Sequence, residues 1–280
     1  MWRDRWPHAA QSRFVRAAPL RWHVQEMGAG PPLLLLHGAG GATHSWRGLM
    51  PLLAERFRCI AVDLPGHGFT SRAPGRSGLE ATVADLRALL REIGAEPAAI
   101  VGHSAGAAIG LRMAQARPVP VVGLNGAFAA FEGMAGFLFP LVAKALALSP
   151  LTVPLFTATA SPARVRRMLE ATGSRIDEET LALYAALIGD RAHVEGTLQK
   201  MASWDLASLH QALPGTRAPL LLVIGDHDGT VPPRVSRALA AKLPQARVEV
   251  LPGLGHLAHE EAPDRVAGAL MPWLEDVEAR

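Results

Sequence analysis

Gly102-His103-Ser104-Ala105-Gly106, preceded by Ala98-Ala99-Ile100-Val101 and followed by the alanine-rich run Ala107 to Ala116, reads as a buried strand, a sharp turn and a helix. The five residues have the form G-x-S-x-G. A serine on such a strand-to-helix turn is presented as a strained, exposed nucleophile. The flanking glycines let the helix pack close to its strand and let the serine backbone take an unfavourable conformation. The turn also puts Ser104 at a helix N-terminus, where free N–H groups and the helix dipole favour an anion. Alone, G-x-S-x-G is common and an ordinary glycine loop can carry it. The strand before it and the helix after it give it meaning here.

Working outward, apolar runs suited to buried strands recur. Leu20 to Gln25 reads as a short strand, and Leu33-Leu34-Leu35-Leu36 as one buried on both faces. Arg58 to Asp63, Ala98 to Gly102, Val119 to Leu124, Leu220 to Gly225 and Arg247 to Leu251 read the same way. Helical segments alternate with them; Leu79, Val83, Leu86, Leu89, Leu90 and Ile93 define one apolar face at helical spacing. That alternation predicts an α/β fold with a mostly parallel sheet covered on both sides. Ligands of such sheets bind beyond the carboxyl ends of the strands.

The rhythm breaks between Asn125 and Pro219. Gly133 to Leu148 is strongly apolar and ends at Ser149-Pro150. Ser161-Pro162 reads as an N-cap and first helical position, and 175–189 and 191–204 read as two further helices. The division expected is a core of residues 1–127 and 206–280 with a helical cap at 128–205. Extra core helices are the plainer alternative, but the sheet rhythm resumes cleanly at Leu220.

A serine nucleophile needs a base, a carboxylate to orient the base, and an oxyanion hole. The strand ending at Gly225 is followed by Asp226-His227-Asp228-Gly229, and both carboxylates are eligible as the acid; Asp-Gly is also a plain turn signal. Of eleven histidines, His256 lies on the glycine-rich loop after the last strand and suits the base. His259 is close by, but Glu260-Glu261-Ala262-Pro263 suggests the start of a surface helix there. The N–H of Ala105 is one oxyanion donor. The loop His37-Gly38-Ala39-Gly40-Gly41 supplies the second, from Ala39 or, as the alternative, Gly40. Gly38, Gly40 and His103 are expected to line the substrate pocket. Thr43 to Trp46 begins a helix at its rim, and Ser45 there lacks an elbow. Asp63-Leu64-Pro65-Gly66-His67-Gly68 reads as a structural turn, because no Cys/His/Asp cluster at metal-ligand spacing surrounds His67.

Composition narrows the classes. Lys and Arg number 28 against 25 Asp and Glu, too even a balance to imply nucleic acid. The single cysteine, Cys59, cannot form an internal disulfide, reads as a small core residue and fits a reducing, cytoplasmic setting. The first twenty residues carry charges without an apolar stretch, so no signal peptide is expected, and no 18-residue apolar run suggests a membrane span.

HGAG at 37–40, DLPGHG at 63–68, GHSAG at 102–106, GDHD at 225–228 and GLGH at 253–256 together resemble the α/β-hydrolase superfamily over almost the whole chain. The resemblance implies an eight-stranded, mainly parallel sheet with a helical cap, and Ser104, Asp228 and His256 as nucleophile, acid and base. A finer resemblance rests on SRFV at 12–15, LRWHVQ at 20–25, LLLLHG at 33–38, THSWR at 43–47, DLPGHGFTS at 63–71, GHSAGAAI at 102–109, LNGAF at 124–128, SWD at 203–205 and LPGLGHLAHEEAP at 251–263. These resemble the bacteriochlorophyll-biosynthesis subgroup of phototrophic bacteria, the magnesium-chelatase accessory (30 kDa) hydrolases. That subgroup implies a place near magnesium insertion into a porphyrin, a porphyrin as candidate substrate and magnesium chelatase subunits as candidate partners. The chain has no P-loop for ATP and no carboxylate cluster for magnesium, so no cofactor or metal is expected. Three readings follow: a serine hydrolase of a hydrophobic substrate near that step, a non-catalytic accessory protein on a hydrolase fold, and an esterase or carbon–carbon hydrolase unrelated to pigment. A carboxylate-nucleophile dehalogenase or epoxide hydrolase is disfavoured by serine at the elbow.

Overall fold

The computed structural model describes residues 5–17, 19–129, 152–158 and 161–278. Eight strands form one sheet: β1 (Ser12–Ala17), β2 (Leu20–Met27), β3 (Pro32–Leu36), β4 (Arg58–Val62), β5 (Ala99–His103), β6 (Val121–Leu124), β7 (Leu220–Gly225) and β8 (Ala246–Leu251). Their order is β1-β2-β4-β3-β5-β6-β7-β8. β1 pairs with β2, and β2 with β4, antiparallel; every later pairing is parallel.

Strand alternation explains why the runs are apolar throughout. Leu34, Leu36, Ile60, Val62, Leu220 and Leu222 face one core layer, covered by α2 (Leu79–Glu92) and α3 (Ala105–Ala116). Leu33, Leu35, Cys59, Ala61, Leu221 and Val223 face the other, covered by α1 (Leu49–Leu53) and by a C-terminal helix, Pro263–Glu278. Cys59 is a buried core residue, as read from the sequence.

Seven strands were legible from apolar runs; β1 was not. It is an edge strand with only Val15 and Ala17 buried, and Phe14 stands half-exposed beneath the Arg21 guanidinium, 3.6 Å from its ring centre. Arg13 and Arg16, both exposed and on opposite faces of this edge strand, interrupt the apolar alternation.

Between β6 and β7 the described residues form α4 (Thr152–Ala158), α5 (Pro162–Glu170), α6 (Glu178–Gly189) and α7 (Arg191–Ala202). The side chain of Ser161 caps α5, that of Asp177 caps α6 and that of Asp190 caps α7, each accepting from backbone N–H groups of the first turn. With Asp177 as its cap, α6 starts at Glu178, three residues later than the helix read from 175. The apolar run 133–148 lies outside the described residues. Leu206 and Leu209 return the chain to the core layer that also holds Phe128.

Candidate active site

Ser104 sits between β5 and α3 with φ 50° and ψ −115°. A non-glycine residue at positive φ costs of order 1–3 kcal/mol and persists only where its surroundings hold it. Here its N–H donates to the Leu124 carbonyl (3.0 Å), and its own carbonyl accepts from Ala107 (3.1 Å) and Ala127 (3.0 Å). Side chains could not occupy the flanking positions. A Cβ at Gly102 would overlap the Gly106 carbonyl, and one at Gly106 would overlap that of Leu36 on β3.

The His37–Gly41 loop leaves the carboxyl end of β3 beside this turn. A Cβ at Gly38 would lie 2.8 Å from His103 Nδ1 and 3.0 Å from Ser104 Cβ. Gly41 N–H donates to Gly38 O (3.1 Å), and Gly40 takes φ 79°, closing a tight turn with Ala39 exposed at its tip. His37 fixes the loop's root: its Nε2 accepts from Leu64 N–H (2.9 Å) and its Nδ1 donates to Gly38 O (2.7 Å). Burial pushes His37 down to about 4, so the ring is neutral. Ala105 is the first residue of α3, and its N–H points from a helix N-terminus.

The 63–68 segment is organised by Asp63, which is fully buried. Its carboxylate pairs with His23 Nδ1 (2.7 Å) and accepts from Thr43 N–H (2.7 Å) and Phe69 N–H (2.8 Å). Burial opposes that charge, but His23 and the hydrogen bonds prevail and hold the carboxyl below its ordinary range. This turn is structural, and His67 packs inside it with its Nδ1 3.2 Å from Pro65 O. Among the described residues no group of three or more His, Cys, Asp or Glu is arranged to hold a metal ion.

At the carboxyl ends of β7 and β8, His256 Nδ1 lies 2.8 Å from Asp228 Oδ2. Asp228 Oδ1 accepts from Thr230 and Val231 N–H, both at 2.8 Å. Both side chains are almost wholly buried. Because a carboxylate only accepts, Asp228 selects the His256 tautomer with its proton on Nδ1 and a lone pair on Nε2. Asp226 instead lies at the surface, where it accepts from Gly253 N–H (2.6 Å).

His103 connects the elbow to the histidine loop. Its Nε2 donates to His256 O (2.9 Å), and its ring centre is 4.7 Å from that of His256. Burial drives His103 well below its ordinary range, so it is neutral. His259 corrects the sequence reading. A short helix does form at Ala258–Glu261, but His259 is fully buried, its ring 5.0 Å from Trp46 and 4.4 Å from His103. Burial also pushes Glu260 up to about 7, where it accepts from Tyr184 Oη of α6 (2.8 Å).

Several residues that hold the site lie outside the motifs read from the sequence. Asn125, at φ 45° just past β6, accepts from Gly225 N–H (2.7 Å) and donates to Gly255 O (2.9 Å) and His256 O (2.8 Å). His193 on α7 accepts from Gly68 N–H (3.0 Å), and its Nε2 lies 3.2 Å from Gly40 O. An asparagine directly after a buried strand was the available cue for the first; a lone helical histidine offers none for the second.

Serine elbow, glycine loop and Asp–His pair at the carboxyl ends of one such sheet define a class. The chain belongs to the family described as alpha/beta hydrolase fold, whose pattern matches residues 31–263. Within it, the chain is 45% identical over 275 residues to the magnesium-chelatase 30 kDa subunit of Rhodobacter capsulatus, covering 96% of each protein. It is 29% identical to a 2-hydroxymuconate semialdehyde hydrolase of a Pseudomonas species over 95% of each chain. In three dimensions it is similar to a lipase-like protein of Acinetobacter baumannii, with TM-score 0.80 at 21% identity over 99% of this chain and 95% of that one. No helix among the described residues is long and apolar enough to cross a membrane.

Proposed function

We propose that the chain is a serine hydrolase that cleaves an ester-type bond in a hydrophobic substrate, working near the magnesium chelatase step of bacteriochlorophyll synthesis. The hydrogen bond between His256 Nδ1 and Asp228 Oδ2, beside an elbow that strains Ser104 to φ 50°, carries the chemical part of this reading. The 45% identical relative named as a chelatase subunit supports the pathway part. Residues 128–205 then act as the cap over the substrate.

Ser104 Oγ attacks the carbonyl carbon as His256 Nε2 takes its proton, and Asp228 holds the imidazole and stabilises the imidazolium. The N–H groups of Ala105 and Ala39 donate to the tetrahedral oxyanion. The intermediate collapses to an acyl-enzyme, and the leaving alkoxide takes the proton from His256. Water, deprotonated by the same nitrogen, then releases the acid and regenerates Ser104. Gly38 and Gly40 allow the substrate close to the backbone, and neutral His103 lines the pocket without adding charge. A screen of porphyrin esters against simple p-nitrophenyl esters, with wild type and Ser104→Ala, tests this. Turnover of a porphyrin ester by wild type alone is expected; turnover of neither class refutes the hydrolase reading.

A second reading, a non-catalytic partner of the chelatase, is favoured by the chelatase-subunit role given in that same relative's name. A deletion strain whose pigment is restored equally by wild type and Ser104→Ala would select it.

A further inference from the structure

We infer that the turn Thr172-Gly173-Ser174, which joins α5 to α6 in the inserted region, is a positioning element for the Asp228–His256 pair. The inference rests on the assignment of these residues as acid and base. Although far away in sequence, the turn lies between the two loops that carry them. Its Thr172 carbonyl accepts from Gly229 N–H (2.9 Å) and from His256 N–H (3.2 Å). One oxygen therefore ties the residue after the acid to the base itself. Two residues on, Ser174 Oγ accepts from Leu257 N–H (2.8 Å), fixing the peptide that follows His256.

The fit depends on glycine at three places. Gly173 takes φ 82°, and a Cβ there would overlap the His227 carbonyl. A Cβ on Gly255 would run into the Gly173 backbone, and one on Gly229 would lie 2.9 Å from Ala171 O. Three backbones thus meet without intervening side chains. Ser174 is buried, so its hydrogen bond to Leu257 has no water competing for it.

His256 is held from the opposite side by the core. Its carbonyl accepts from Asn125 Nδ2 and His103 Nε2. Among the described residues, its N–H and the next N–H are held by the turn between α5 and α6. The base therefore reads the position of the inserted helices directly, and a shift of that turn moves its imidazole relative to Ser104. Displacements of about 1 Å at such a group cost roughly a hundredfold in rate.

The test measures the second-order rate of fluorophosphonate labelling against pH, with melting temperature, for wild type, Gly173→Ala, Ser174→Ala and Ser174→Thr. Leu209→Ala, in the core behind α3, serves as a purely destabilising control. Gly173→Ala is expected to slow labelling about a hundredfold. Ser174→Ala should slow it roughly threefold to tenfold, the worth of one hydrogen bond, and move the acidic limb of the pH profile. Ser174→Thr, which keeps the acceptor, should restore both. The inference is overturned if the Gly173 and Ser174 variants only lower the melting temperature, as Leu209→Ala does, with rate and profile unchanged. If Gly173→Ala fails to fold, the Ser174 pair decides. Labelling that persists in Ser104→Ala would instead refute the assignment of Ser104, a separate outcome.

Discussion

The elbow beneath Ser104 and the loops that carry Asp228 and His256 stand side by side, yet they are anchored differently. The elbow is wedged into the sheet, with Gly106 against the β3 backbone and Gly102 against α3. No movement is available there without disrupting two core layers. The Asp–His loops are instead suspended between Asn125 at the end of β6 and the 172–174 turn between α5 and α6, by hydrogen bonds to backbone groups. One half of the site is set by packing and the other by polar contacts across a seam. Damage to the first should appear as lost stability, and damage to the second as lost rate in a protein that still folds.

The largest effect falls on the polar half. Asp228→Asn is expected to lower turnover by about four orders of magnitude through the wrong imidazole tautomer. Its melting temperature should stay near wild type; a collapse of the fold would show that the loop belongs with the packed half. Gly106→Ala should do the reverse. Overlap with Leu36 O is expected to cost about 1–3 kcal/mol, read by denaturant unfolding. Unchanged stability there would show that the elbow is not set by packing.

An effect that develops only as pH rises tests the seam itself. Glu260 meets Tyr184 across it, and burial raises the Glu260 carboxyl to about 7. The folded protein therefore keeps a proton that the unfolded chain has released. Its stabilising contribution is full below the ordinary glutamate range and is lost as pH rises through about 7. Glu260→Gln keeps an acceptor for Tyr184 and cannot ionise. It should gain stability over wild type as pH rises from 5 to 8, by about 1–3 kcal/mol at the upper end. A stability difference independent of pH would remove Glu260 from this role.

The same contrast governs what could be read from the sequence. The elbow is legible because its determinants are five consecutive residues between a strand and a helix. The sheet is legible from runs such as Leu33–Leu36, whose alternate residues fill both layers. Local sequence could not separate Asp226 from Asp228, because only the partner His256, 28 residues on, tells them apart. No motif marks Thr172-Gly173-Ser174, since its partners lie far off at Gly229, His256 and Leu257. His259 reads as exposed because acidic neighbours follow it, yet Trp46 and His103, remote in sequence, enclose its ring. Edge strand β1 is masked by its solvent-facing arginines.

The most direct measurement is intact mass and peptide mapping after reaction with a fluorophosphonate at neutral pH. One adduct per chain is expected, on Ser104, absent in Ser104→Ala and formed far more slowly in His256→Ala. An adduct on another serine such as Ser45, or no adduct on the folded wild type, would contradict it.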